Sequence, residues 1–297
     1  MPPLTSATLR GTWGTLLLAI RDDDTIDWSR TADALDTLVA AGPDGVYVHG
    51  TAGEFHTLDE DEYDRINALV TDRCAAAGIP VQIGASHMSA QTALRRVARA
   101  RALEPAAIQI TLPDWLPLAP GEVVRFLTRM AAEADPVPLV LYNPPHAKTR
   151  VEPGRYAAIR REVPSLIGVK VAGYDAAMPG DLAVFVAGHR LASARRQGAA
   201  GSYSNVACLS PAGALAWQST MDTDPDAALD VERRINAFLA AHVTPLALSN
   251  PALDKFLAHV GGWAGVGTRI RWPYTAADPG LAEALRPRAR ELLPELF

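Results

Sequence analysis

Residues 165–175 read SLIGVKVAGYD, an apolar run with a single cation, Lys170, inside it. Lysine is among the residue types least often found fully buried, so the segment turns on which way Lys170 points. Strand side chains alternate between two faces. Ile167, Val169 and Val171 therefore point one way, and Leu166, Gly168 and Lys170 the other. If the β-branched trio faces an outer layer of helices, Lys170 points inward near the C-terminal end of the strand, with Gly168 leaving open space below it. In a closed parallel barrel that end carries the active site.

The preceding run, PLVLYN at 138–143, obeys the same parity: Leu139 and Leu141 outward, Pro138, Val140 and Tyr142 inward. Neighbouring strands lie about 4.8 Å apart, so a phenol at 142 and an amine at 170 reach one small ligand. Further such runs are TWGTLLLAI (12–20), GVYVHG (45–50), VQIGAS (81–86), AAIQIT (106–111), LAVFVAG (182–188) and AAGSYS (199–204). With amphipathic stretches between them at a spacing of about thirty residues, they form the pattern of repeated βα units. The expected fold is α/β, a (β/α)8 TIM barrel with a C-terminal helical region, because an open doubly wound sheet usually has fewer strands. Beyond about Ser204 the strand-like runs cease and helices are expected over 211–221, 225–242, 250–260 and 279–293. The division is residues 1–222 for the catalytic barrel and 223–297 for the helical region packed on it.

Helix boundaries are legible too. Thr57 and Glu60 in HTLDEDEY fit a capping box, followed by Tyr63, Ile66 and Val70 at helical spacing. Between Asp27 and Ala41 the stripe is Trp28, Leu35 and Val39, stopped by Gly42 and Pro43.

The chain has 297 residues, 48% hydrophobic and 21% charged, with a formal net charge of -5. That is ordinary globular composition with no basic face for nucleic acid or anionic lipid. The apolar run near the N-terminus is too short for a secretory core or a membrane span, so a cytoplasmic protein is expected. Cys74 and Cys208 are too few for a disulfide framework. The seven histidines show neither His-x-His nor His-Glu-x-x-His spacing, dinucleotide and P-loop signatures are missing, and Ser86, Ser89 and Ser202 lack the hydrolase elbow. No metal and no cofactor are expected. The chemistry left is that of the lysine. Desolvation favours a neutral amine, which attacks a carbonyl carbon, and the resulting iminium draws electrons from the adjacent carbon-carbon bond while a phenol carries protons.

Four segments in order, GTAGEF (50–55), YNPP (142–145), GVKVAG (168–173) and GAAGSYSNV (198–206), resemble the pyruvate-dependent class I aldolases typified by dihydrodipicolinate synthase and N-acetylneuraminate lyase. NPALDKFL and GVGTRIRWP extend the likeness towards the C-terminus. The resemblance implies a homotetramer, a dimer of dimers, working on a small 2-oxo acid and an aldehyde. It implies Lys170 as the imine-forming lysine and Tyr142 as the acid/base. Gly50, Thr51, Ala52 and Gly53 would form the loop that holds the carboxylate, the glycines supplying the turn, with Thr51 also in the proton relay and Tyr203 lending a backbone carbonyl. The departures are Ala52 where these enzymes usually carry a second Thr, Trp115 in LPDWLPL in place of a tyrosine that synthases reach across a subunit interface, and Ala147 and Lys148 where synthases carry a substrate-gripping arginine. They argue against a lysine-biosynthetic role. Trp115 is a candidate for stacking on substrate, and His146 and Lys148 for binding a polar or anionic part of it. Dehydration of a deoxy sugar acid through the same imine, and a non-catalytic 2-oxo acid binding barrel, are the alternatives.

Overall fold

The computed structural model describes residues 3–203 and 205–297. Ser204, near which the strand-like runs end, and residues 1 and 2 of the proposed barrel segment lie outside the described residues. Each expected run supplies one parallel strand: β1 (Gly11–Thr15), β2 (Gly45–Val48), β3 (Val81–Gly84), β4 (Ala107–Thr111), β5 (Leu139–Tyr142), β6 (Leu166–Lys170), β7 (Ala183–Ala187) and β8 (Gly201–Tyr203). They close in sequence order, β8 returning to β1 with Gly11 opposite Gly201. The seam needs glycine there, since a Cβ on Gly201 would stand 2.1 Å from the carbonyl oxygen of Gly11.

The outer layer consists of α1 (Trp28–Ala40), α2 (Glu60–Ala77), α3 (Ala90–Arg101), α4 (Pro120–Ala134), α5 (Tyr156–Glu162) and α6 (Leu191–Gln197). The connection from β6 to β7 carries no helix: residues 171–182, VAGYDAAMPGDL, are too rich in turn formers to hold one. After β8 come α7 (Asn205–Leu209), α8 (Pro211–Thr223), α9 (Pro225–Phe238), α10 (Asn250–Gly261) and α11 (Pro279–Leu292).

Two local expectations are corrected. The capping box of α2 is Asp59 with Glu62, in place of Thr57 with Glu60. Asp59 accepts from the Glu62 amide at 2.8 Å and Glu62 reaches back to the Asp59 amide. Thr57 closes a short 3-10 turn, its hydroxyl donating to the Glu54 carbonyl, and Glu60 is drawn to Arg96 and Arg99 of α3. The buried stripe of α1 is Thr31, Ala34, Leu35 and Leu38, with Trp28 and Val39 at its half-buried edge.

Inside β6 the simple alternation breaks. Leu139 pairs with Leu166 but Val140 pairs with Gly168, so the strand carries one extra residue at 167. Leu166 therefore packs with the outer helices and Ile167 enters the barrel, the reverse of the expected parity. From Gly168 onward the alternation holds, with Val169 and Val171 outside. Gly168 does not leave open space: a Cβ there would stand 2.6 Å from Leu9 Cδ2, because Leu9 plugs the barrel from below.

Above Leu9 the interior is filled by Trp13, Tyr47, Val140, Ile167, Phe185 and Tyr203, with Ala107 and Ala183 giving the rings room. Gln82, also buried, links Tyr203 to the buried Gln109: Gln82 Nε2 donates to Gln109 Oε1 at 3.2 Å and Tyr203 OH donates to Gln82 Oε1 at 2.6 Å. This closes the floor on which the site stands. A separate apolar cluster joins α8, α9, α10 and α11 to the β8 and β1 side of the barrel through Leu17, Ala19 and Ala52.

Candidate active site

Tyr142 and Lys170 are direct partners across β5 and β6, each the last residue of its strand. Both are half-buried. Lys170 Nζ lies 4.4 Å from the centroid of the Tyr142 ring and 5.5 Å from those of Tyr47 and Tyr203. No carboxylate forms an ion pair with Lys170 among the described residues. Asp175, just past the strand, accepts from the Ala177 amide. The amine thus stands in an aromatic cage at the floor of a cavity of about 280 Å³, room for a small 2-oxo acid.

Thr51 and Ala52 line the same cavity. The amides of Gly53 and Glu54 fold back on the carbonyls of Gly50 and Thr51, whereas those of Thr51 and Ala52 have no hydrogen-bond partner among the described residues. The turn is not supplied by its glycines as expected. The left-handed residues are His49 and Glu54, at φ 57° and 53°, which flank the loop. Gly50 is required by space, since a Cβ would stand 2.8 Å from the Tyr47 ring. The strained flanks are tied down from outside. His49 Nε2 donates to Asn67 Oδ1 at 2.8 Å, and its ring stacks on Tyr63. Glu54 is ion-paired with Lys255 of α10 and accepts from the Arg271 amide. Ala52, where a second hydroxyl was the expectation of the likeness, packs into the apolar cluster of the C-terminal helices, which explains the small apolar side chain.

Tyr203 contributes more than a backbone carbonyl, since its ring lies under the amine and lines the cavity. The remaining wall comes from residues that sequence reasoning missed: Tyr47 from β2, His189 and Arg190 after β7, Asn205 of α7, and Asn250 and Asp254 of α10. Asn205 Oδ1 accepts from the His189 backbone N–H at 3.2 Å, and burial holds the His189 imidazole below its ordinary range. Asp254 is 5% exposed and burial raises its carboxyl to about 7, against the opposing pull of Lys170. The alternation of apolar and polar residues in NPALDKFL was the only available signal, and it does not say which polar residue faces the barrel.

Trp115, His146 and Lys148 do not line this cavity. Trp115 is 67% exposed on the loop after β4. Lys148 Nζ donates to the Trp115 carbonyl at 3.0 Å and sits over its ring, while the Lys148 amide donates to Asp114. These two expected binding residues engage each other at the surface. His146 borders a smaller adjoining cavity of about 110 Å³ that shares Thr51 and Tyr142 with the first. Among the described residues no three His, Cys, Asp or Glu side chains converge as a metal site, and no helix is long and apolar enough to cross a membrane.

Comparison with known proteins bears on this geometry. A 4-hydroxy-tetrahydrodipicolinate synthase of Hyphomonas neptunium is 30% identical over 275 residues, 88% of this chain and 90% of the relative. A trans-2'-carboxybenzalpyruvate hydratase-aldolase of a Nocardioides species is 32% identical over 154 residues, 50% of this chain and 45% of the relative. A probable 5-dehydro-4-deoxyglucarate dehydratase of Streptomyces avermitilis is 31% identical over 161 residues, 54% of this chain and 47% of the relative. Against these two the chain spans about half the relative's length. The fold is also that of YagE, a prophage protein from E. coli K12 solved in complex with pyruvate, at a TM-score of 0.84 and 20% identity, covering 97% of this chain and 99% of that one. The pattern of the Dihydrodipicolinate synthetase family matches residues 8–181, and the chain belongs to that family.

Proposed function

We propose that this chain is a Schiff-base lyase of the class I aldolase type acting on pyruvate or a related 2-oxo acid. Lys170 Nζ attacks the carbonyl carbon, and the carbinolamine loses its hydroxyl as water to give an iminium. Tyr142 delivers and recovers the protons of these oxygen-centred steps, with the Thr51 hydroxyl next to it. The amides of Thr51 and Ala52, unpartnered among the described residues, hold the carboxylate. In cleavage the iminium accepts the electron pair of the carbon-carbon bond beside it as Tyr142 takes the substrate hydroxyl proton and an aldehyde departs, leaving an enamine; in condensation that enamine supplies the pair to the aldehyde. The observation that carries this reading is the direct pairing of Tyr142 with Lys170 in a cavity that Thr51 and Ala52 also line, the amides of these two being without a hydrogen-bond partner among the described residues.

The aldehyde partner is proposed to differ from that of a dihydrodipicolinate synthase, since Ala147 and the Lys148–Trp115 pair stand where a carboxylate-gripping arginine would be needed. Dehydration of a deoxy sugar acid is the second reading, favoured by the likeness to the dehydratase of S. avermitilis. A homotetramer in the cytoplasm belongs to the same proposal; its assembly is supported by Trp115 and Leu116 standing exposed side by side at 67% and 70%. The mass in solution tests it.

Borohydride reduction in the presence of pyruvate, followed by peptide mass spectrometry, should place the adduct on Lys170. Lys170→Ala should abolish it, and Tyr142→Phe should lower turnover about 100-fold with little change in pyruvate affinity. Trapping without turnover across a panel of hydroxy-2-oxo acids would favour a binding barrel. An adduct elsewhere would defeat the mechanism.

A further inference from the structure

The cavity has one carboxyl among its described lining residues, and it comes from outside the barrel. Asp254 lies within α10, one turn after its start, so it is not a capping group. Among the described residues it has no ion pair. Its partners are neutral: the Asn250 side-chain amide donates to it, and the Cys208 thiol lies against it. A buried carboxyl with no ion-pair partner is costly to keep charged, and Lys170, which lines the same cavity, is the cation that acts on it; along α10 Ala252, Phe256 and Leu257 are apolar, and the buried Lys255 beside it pairs with Glu54 instead. The charge is therefore better explained by the cavity it faces than by the helix that carries it.

Its direction of approach is informative. Helix α10 packs on α7, which follows β8 and lies against β1, while Tyr142 ends β5, the strand diametrically across the barrel from β1. Two proton carriers thus face Lys170 from opposite walls. An iminium is planar, and the hydrogen on its neighbouring carbon leaves perpendicular to that plane, whereas the hydroxyl of the carbinolamine is handled elsewhere. One phenol on one wall does not serve both positions equally.

We propose that Asp254 is a catalytic base, taking the proton from the carbon next to the Lys170 iminium; this rests on the Schiff-base reading above. The C–H bond breaks, its electron pair becomes the carbon-carbon double bond of the enamine, the π pair of the C=N bond returns to nitrogen, and the proton moves to an Asp254 oxygen. In the cleavage direction Asp254 starts protonated and gives its proton to the enamine carbon once the aldehyde has left, Tyr142 having taken the proton of the aldol hydroxyl. No oxidant, metal or second substrate is involved. Burial places this carboxyl near neutrality, where a group can both accept and return a proton. The titratable groups that face it are Lys170 of β6, Tyr47 of β2 and Cys208 of α7. On the far side of α10 the charged groups of α11, Glu283 and Arg286, meet His259 and the carbonyls of His259 and Val260 instead.

The step occurs with pyruvate alone, so its test needs no aldehyde. Pyruvate in D2O exchanges its methyl hydrogens as the enamine forms and reverts, and proton NMR follows the loss of signal. The wild-type rate should rise with pH, reach half its maximum near 7 and level off above that, as the base form fills. Asp254→Asn should still be trapped by borohydride at Lys170 over the same pyruvate concentrations, yet exchange at least about 100-fold more slowly and without that rise. Exchange within threefold of wild type in the trapped variant would overturn the proposal, as would an equal loss of trapping and exchange, which marks a structural role. If the variant does not fold, a wild-type exchange rate flat from pH 6 to 8 overturns it equally. Failure of the wild-type protein to trap at all would instead remove the Schiff-base reading on which the proposal stands.

Discussion

A histidine just past the end of a barrel strand invites a role in proton transfer, but His49 is built to stay neutral. It is buried, left-handed at φ 57°, stacked on Tyr63 and bonded through Nε2 to Asn67. Burial drives its imidazole down to about 3 from an ordinary 6.5. Below pH 6.5 the unfolded chain takes up a proton that the folded chain refuses, so stability falls as pH drops from 6.5 towards 3 and is fully present above 6.5. Between pH 7 and 5.5 this single group should remove about 1 kcal/mol. Asn tolerates the left-handed region as His does, so His49→Asn should be less stable at neutral pH and lack that increment of acid sensitivity. Urea denaturation of both proteins at the two pH values measures it, and identical pH dependence would remove His49 from the account.

At the scale of elements, the loop at 50–53 is tied to α10 through Glu54. Glu54 and Lys255 are 1% and 0% exposed and paired. Lys255 also donates to the Arg269 carbonyl, and the Arg271 guanidinium forks onto Glu62 of α2. Lys255→Met leaves the Glu54 carboxylate buried without its cation, an error of about 3–5 kcal/mol. Adding Glu54→Gln to it should recover part of that loss, so the double variant should be more stable in urea than the sum of the single changes. Both should need more pyruvate for half-maximal trapping at Lys170, because the Thr51 and Ala52 amides lose their anchor. A double variant whose loss equals the sum would show the pair to be uncoupled. This is also where sequence reading ran out. Asp254 and Lys255 are adjacent in NPALDKFL and look like a solvated pair, whereas one faces the cavity and the other the loop behind it. Their partners lie in elements remote in sequence, and no local period encodes them. Lys170 and Tyr142 were legible because strand parity and position at a strand end are local properties. Ile167 was not, because a bulge shifts parity without changing composition.

For the whole molecule, all eight strands could be read because parallel strands buried on both faces are continuous apolar runs. How the C-terminal helices join the barrel was not legible, since it depends on Ala52, Lys255 and Arg271 crossing between them. We expect the resulting body to unfold as one unit despite its two large apolar clusters. Trp217 of α8 tests this from the C-terminal side: it is 2% exposed, its indole N–H donates to the Ala228 carbonyl, and it belongs to the cluster of C-terminal helices without lining the Lys170 cavity. Trp217→Ala should cost about 3–5 kcal/mol. For a cooperative unit of this size the melting temperature should then fall by about 5–8 °C. If the helices and the barrel share one transition, loss of circular dichroism and loss of borohydride trapping at Lys170 will move together in the variant. A helical transition that moves alone, leaving trapping at its wild-type temperature, would mean that the helices from α8 onward fold apart from the barrel, and α10 could not then be what holds the loop at 50–53 in place.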